Sequence, residues 1–333
     1  MSAEPAMSTG PATRPAPWAF AAPWGARGYV TDLGSPVHWV EFRPSTASPP
    51  AVPDSAPIVF VHGLGGSHLN WCLIGPRLAE GRRAVALDLH GFGLTPGSRV
   101  TSTVQRNTGL LDRFVREITG TPVILAGNSM GGLISIMQAS GAPETVAGLV
   151  LIDPALPLPP QVPDRVVGSQ FLLYALPGLG ELYVRSVMSR RPPQQAVQRV
   201  IELCFADPSR IDPALLTASI ALAAERHGRG PGGRDEAFLA ASRSLMRVAG
   251  LRRRYWEMMA SVRVPVLLIG GAADRLVPVA AMRRAAARNP RWETVILPGV
   301  GHTPQLEAPG TVAGTMRDWL GRHFAPAPVR HGA

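Results

Sequence analysis

The residues best suited to covalent chemistry are Gly127-Asn128-Ser129-Met130-Gly131-Gly132, which follow a short apolar run and precede a helical pattern. That context predicts a nucleophile elbow, a strand-to-helix turn so sharp that the serine at its apex holds strained backbone angles and stands clear of its neighbours. A side chain at Gly127 or Gly131 would collide with the crossing chain, which accounts for glycine at both positions. A serine hydroxyl alone is a poor nucleophile at neutral pH, so it needs a base within hydrogen-bond reach and a carboxylate to hold that base in the right tautomer. Downstream, Gly270-Gly271-Ala272-Ala273-Asp274 and Gly299-Val300-Gly301-His302 each follow an apolar run. Asp274 and His302 are therefore the candidate acid and base, and Ser129 the candidate nucleophile for acyl chemistry.

Residues 145 and 28 positions apart in sequence must be brought together by a scaffold. Residues 58–61, 84–87, 123–126 and 149–152 are short apolar runs bounded by Gly or Pro and read as buried strands. Helical spacing lies between them, clearest for Leu111, Phe114, Val115 and Ile118 before Gly120. Alternating strands and helices predict an α/β protein with a mostly parallel sheet covered by helices on both faces. In such a sheet the loops leaving the strands emerge at one edge. Residues 28–43 alternate around Val37, Trp39 and Glu41 and suit an antiparallel hairpin ahead of the parallel strands; a proline-rich loop, 44–57, follows it. The alternation stops after the sixth strand and resumes at 264–269 and 294–297. The resulting division is a disordered Pro-rich tail at 1–28, a core at 29–157, a helical cap inserted at 158–255, a second core segment at 256–324 and a tail at 325–333. Within the cap, 226–234 reads as a mobile loop because of its glycines and proline.

Hydrophobic residues make up 46% of the 333 and charged residues 17%, enough apolar material for a large core. The 33 basic residues are all Arg and exceed the 23 acidic ones, giving a net charge of +10. The cap carries 14 Arg against 8 acidic residues. This charge is scattered and no nucleic-acid motif accompanies it, so nucleic acid is not an expected partner. Weak contact with an anionic surface through the Arg-rich cap, Arg252, Arg253 and Arg254 included, is the alternative use of the charge. Residues 166–184 are too interrupted for a membrane span, and residues 1–28 lack the form of a secretory signal. Those readings, with only Cys72 and Cys204 present, favour a cytoplasmic protein without disulfides or a cysteine-rich metal site. Both cysteines read as buried apolar residues. Trp71, Phe171, Tyr174 and Tyr183 read as core more than as the lining of an acyl pocket. The oligomeric state is left open.

From residue 28 to 324, this pattern resembles the α/β-hydrolase superfamily, in particular its cap-bearing esterases and lipases. The resemblance implies an oxyanion hole formed by the backbone N–H groups of Leu64 and Met130. His62, Gly63 and Gly65 would shape the supporting loop beside Gly127 and Gly131 of the elbow. It also offers Asp153, after the preceding strand, as an alternative acid, and gives Asp88 a structural turn. The expected activity is ester hydrolysis through a Ser-His-Asp triad and an acyl-enzyme, on a small-molecule substrate, with no metal or organic cofactor. Relatives that open epoxides or remove halogens use Asp where Ser129 stands, which sets those activities aside. The elbow sequence is also favoured among hydrolases that cleave carbon-carbon bonds of ring-cleavage products, although those carry Trp where this chain has Thr303. A non-catalytic ligand receptor on the same fold is the alternative of another class.

Overall fold

The computed structural model describes residues 11–45, 55–157, 164–230 and 232–324. Residues 1–10 of the expected N-terminal tail, the tail at 325–333, most of the proline-rich loop and the first residues of the insertion lie outside the described residues. One nine-stranded sheet organises the rest. In chain order its strands are β1 (Thr13–Pro15), β2 (Arg27–Asp32), β3 (Pro36–Phe42), β4 (Ile58–Val61), β5 (Ala84–Leu87), β6 (Val123–Asn128), β7 (Val146–Ile152), β8 (Val266–Gly271) and β9 (Glu293–Leu297). Across the sheet they run β1-β2-β3-β5-β4-β6-β7-β8-β9. β1, β2 and β3 pair antiparallel, β3 joins β5 antiparallel, and β4 to β9 are parallel to one another.

Alternate residues of each parallel strand feed two separate cores. Val59, Val61, Val85, Leu87, Leu125, Leu149, Leu151 and Leu268 pack on one face beneath the helices Val104–Phe114, Met130–Gly141, Arg252–Ser261 and Val279–Arg288. Ile58, Phe60, Ala84, Ala86, Ile124, Val150, Ile152 and Ile269 pack on the other, mainly under Pro309–Phe324. With both faces covered, these strands have no polar side, which is why they read as continuous apolar runs. Local signals set the helix ends. The Thr103 hydroxyl accepts the Arg106 N–H at the start of Val104–Phe114, and Gly120 at φ 68° closes the turns that follow.

Several expectations change. The tail does not extend to residue 28: Thr13–Pro15 adds an edge strand against β2, and Ala21 and Ala26 are buried in the core. Proline is tolerated there because an edge strand leaves one row of backbone groups unpaired. The helical insertion therefore follows the seventh strand, one later than the sequence pattern suggested. Its helices are Arg165–Ala175, Leu179–Tyr183, Pro193–Cys204, Pro213–Gly228 and Gly232–Gly250. Residues 226–234 are not one loop, since the helix capped by Asp212 runs through Arg226 to Gly228. The limit expected at residue 255 falls inside the helix Arg252–Ser261, whose Tyr255 and Met259 belong to the sheet's core. Trp71 is core, stacked 4.9 Å from Phe60. Among the described residues no helix is long and apolar enough to cross a membrane.

Candidate functional site

β4 lies at the centre of the sheet with β5 on one side and β6 on the other, so successive connections leave in opposite directions and open a crevice at the strands' carboxyl ends. The loops after β4, β6, β8 and β9 border it. After β6, Ser129 stands at φ 54° and ψ −118°, and its N–H donates to Ile152 O at 3.1 Å. The elbow is sterically closed. A Cβ at Gly127 would lie 2.4 Å from Gly131 O, and one at Gly131 would lie 2.0 Å from Val61 O. The loop after β4 presses against it so closely that a Cβ on Gly63 would lie 3.0 Å from the Ser129 Cβ.

Asp274 and His302 meet as the sequence order suggested. His302 Nδ1–H donates to Asp274 Oδ2 at 2.7 Å, and both residues are buried. The other carboxylate oxygen of Asp274 accepts the N–H groups of Leu276, at 2.7 Å, and Val277, at 3.0 Å. Ala272 N–H and Ala273 N–H donate to Leu297 O and Val300 O, which binds the aspartate loop to the histidine loop. Asn128 Nδ2 reaches both Ile152 O and His302 O, at 3.0 and 3.1 Å, and so ties the elbow to the same loop. Ser129 Oγ and His302 Nε2 form no hydrogen bond here; such contacts commonly tighten around substrate.

Asp153 stands behind Asp274 and is not hydrogen-bonded to His302. Asp153, Asp274 and His302 bring one ligand-type atom each within 4.8 Å of one another. Asp153 is fully buried at φ 39°, and its carboxylate accepts the Gly271 N–H at 3.0 Å. Burial, reinforced by the adjacent Asp274, pushes its carboxyl well above the usual carboxylate range. That shift favours the protonated form of Asp153 beside Asp274, whose own oxygens meet three donors.

His62 is fixed by two backbone groups: its Nε2 accepts the Leu89 N–H at 3.1 Å and its Nδ1–H donates to Gly63 O at 2.8 Å. Burial lowers it to about 4. The N–H groups of Leu64 and Met130 make no hydrogen bond to the described residues, while Gly66 N–H closes the loop on Gly63 O. Gly65, at φ 78°, supplies the left-handed turn beside Leu64. Asp88 accepts from His38 Nδ1, His68 N and Leu94 N at 2.7 to 2.8 Å, with His68 Nδ1 at 3.0 Å. Burial alone would raise Asp88, but the adjacent His68 and the hydrogen bonds of both histidines hold it well below its ordinary range. His38, His68 and Asp88 form the second buried cluster of metal-ligand type, yet both Nδ1 atoms are engaged by the carboxylate.

A cavity of about 420 Å³ connects Leu64, Asn128 and His302 with the insertion. Phe171 and Tyr174 line it, as does Cys204, so these residues are not simply core. The cysteine thiol is pushed up to about 12 by burial. Two participants were not singled out by sequence. Glu307, five residues after His302, accepts the N–H groups of Gly301, Ala206 and Asp207 at 2.7, 3.1 and 3.0 Å. Arg226, assigned to a loop, lines the cavity from a helix. The Asp212-Pro213 pair, a cap followed by proline in the first turn, is the signal that marks that helix.

Residues 58–315 match the model of the alpha/beta hydrolase family. The chain is 27% identical, over 80% of its length, to the dihydrolipoyllysine-residue acetyltransferase component of the acetoin cleaving system of Pseudomonas putida. It spans 64% of that relative, slightly under two thirds. It is 27% identical to the pimeloyl-[acyl-carrier protein] methyl ester esterase of Edwardsiella ictaluri, over 76% of this chain and 88% of the relative. Identity is 25% to the 2-hydroxy-6-oxo-6-(2'-aminophenyl)hexa-2,4-dienoic acid hydrolase of Metapseudomonas resinovorans, over 80% and 84%. The crystal structure of Cfl2 from Burkholderia cenocepacia superposes with a TM-score of 0.72 at 22% identity, covering 93% of this chain and 99% of that one. With the sheet order, the elbow and a family match spanning most of the chain, this protein belongs to the α/β hydrolase family.

Proposed function

We propose that the protein is a serine hydrolase that cleaves carboxylic esters through an acyl-enzyme on Ser129. The observation that carries this reading is the buried Asp274–His302 contact of 2.7 Å beside a serine held at φ 54°. With Nδ1–H committed to Asp274, the neutral imidazole presents a lone pair at Nε2. His302 takes the Ser129 proton as Oγ attacks the ester carbonyl, and the carbonyl π pair moves onto oxygen to give the tetrahedral oxyanion. The free N–H groups of Leu64 and Met130 receive that charge; one such donor is typically worth about 10²- to 10³-fold in rate. As the oxyanion collapses, the bond to the alkoxy oxygen breaks and His302 protonates the departing alcohol. Water, deprotonated by His302, then releases the acid and returns the proton to Ser129. The ester relative from Edwardsiella ictaluri supports this choice of bond.

The test is a series of p-nitrophenyl esters from acetate to palmitate, on wild type and Ser129→Ala. Turnover should fall at least about 10³-fold in the variant, with folding unchanged by circular dichroism. Activity retained by the variant would place the nucleophile elsewhere. The Gly-Asn-Ser-Met elbow and the dienoic acid hydrolase relative favour one second reading, carbon-carbon cleavage. A folded protein inert toward every ester but active on a ring-cleavage dienoate would establish that reading instead.

A further inference from the structure

Most of the cavity above the crevice is apolar, with Phe92, Val184, Leu215 and Leu222 among its walls. Arg226, in the last turn of the helix Pro213–Gly228, is an exception. One of its Nη groups donates to Gly91 O at 2.9 Å, and no carboxylate among the described residues forms an ion pair with it. Its neighbours are differently provided. Arg229 pairs with Glu225 at 3.0 Å and lies over the Trp18 ring, while Arg234, also on the cavity wall, contacts Asp235 at 3.4 Å. Burial lowers the Arg226 guanidinium to about 10, with nearby Asp88 opposing the shift and Arg234 and Arg229 adding to it. It stays charged at neutral pH. A half-buried guanidinium in an apolar wall, with no carboxylate in ion-pair contact and two other arginines close by, is stabilised when an anion shares the site. Its planar fork suits the paired oxygens of a carboxylate or phosphate.

We infer that Arg226 is the anchor for an anionic group at the end of the substrate remote from the scissile bond, so that the preferred esters have an apolar middle and a carboxylate or phosphate terminus. This rests on the reading of Ser129 as an esterase nucleophile. Fixing the group as a structural clamp to Gly91 would use one N–H and leave the charge without purpose; a substrate anion uses both the charge and the remaining donors.

The experiment compares neutral p-nitrophenyl alkanoates with p-nitrophenyl hemiesters of dicarboxylic acids of equal chain length, on wild type, Arg226→Gln and Arg226→Lys. A second arm uses acyl esters of glycerol 3-phosphate against the uncharged monoacylglycerols, which separates an anion on the acyl chain from one on the alcohol. In one arm, wild type should prefer the anionic member by about 10- to 100-fold in kcat/KM, the range for a charge-assisted hydrogen bond. Arg226→Gln should lose that preference and Arg226→Lys should recover part of it. Equal preference in wild type and Arg226→Gln, or no preference in either arm, would overturn the inference. Thermal stabilisation of wild type by free dicarboxylates and by alkyl phosphates, absent in Arg226→Gln, reads the anion site without catalysis. If no ester turns over but this stabilisation appears, the esterase reading fails and the anion site stands.

Discussion

Lowering the pH should weaken the fold through His62 well before the carboxylates titrate. Both ring nitrogens are committed in the neutral tautomer, Nε2 as acceptor from Leu89 N–H and Nδ1–H as donor to Gly63 O. A second proton would set an N–H against an N–H in a site with no exposed surface. Asp88 favours the charged form, but burial dominates and Arg226 and His68 oppose charging, so the folded value is about 4 against 6.5 for the free side chain. Between these values the unfolded chain binds a proton that the folded chain does not. The stabilisation is therefore fully present above pH 6.5, falls through that window and is lost by about pH 4. At 1.36 kcal/mol per unit, the interval amounts to about 3 kcal/mol. His38, also lowered by burial, contributes in the same direction, so the assay compares variants. Urea unfolding from pH 4 to 8 should give His62→Gln a flatter slope than wild type, by close to one proton in mid-window, even though the variant starts less stable. Parallel slopes would refute the reasoning, because they would mean that His62 carries the same protonation folded and unfolded.

Three further substitutions probe the site. Asp274→Asn replaces the acceptor facing His302 Nδ1 and should lower kcat by roughly 10⁴-fold, as in the serine-protease precedent. Asp153→Asn keeps the shape and an acceptor for the Gly271 N–H and should cost less than about 10-fold; ester kinetics showing the reverse order would move the acid to Asp153. Glu307→Gln removes the charge that gathers three backbone N–H groups and turns an amide toward one of them. It should cost about 3 kcal/mol in denaturant unfolding and reduce kcat, and wild-type stability would contradict that account.

Legibility in the sequence followed the kind of force involved. Strands buried on both faces are written as apolar runs, and the elbow is written in glycines because backbone crowds backbone there. Ser129, Asp274 and His302 could be picked out because each closes a strand-loop unit. The edge strand Thr13–Pro15 left no such trace, since a three-residue strand with every side chain exposed has no apolar pattern. Arg226 was obscured by the glycines that follow it, although the helix start at Asp212 was visible. Glu307 is invisible for another reason: its role exists only because the chain from residue 204 to 207 folds back onto the histidine loop from a hundred residues away.

That fold-back also fastens the insertion to the loop that carries His302. His302 N–H donates to Cys204 O at 2.6 Å, and a side chain at Gly301 would come within 2.4 Å of the same oxygen. The insertion is thus hung from the loop that carries His302, and lifting it on that side would break this bond and disturb the imidazole's loop. In the helices Arg165–Ala175 and Leu179–Tyr183 of the same insertion, Leu172, Leu179 and Leu182 are instead exposed. Substitutions at those leucines should leave the His302 loop in place, whereas changes within residues 204–207 should disturb it.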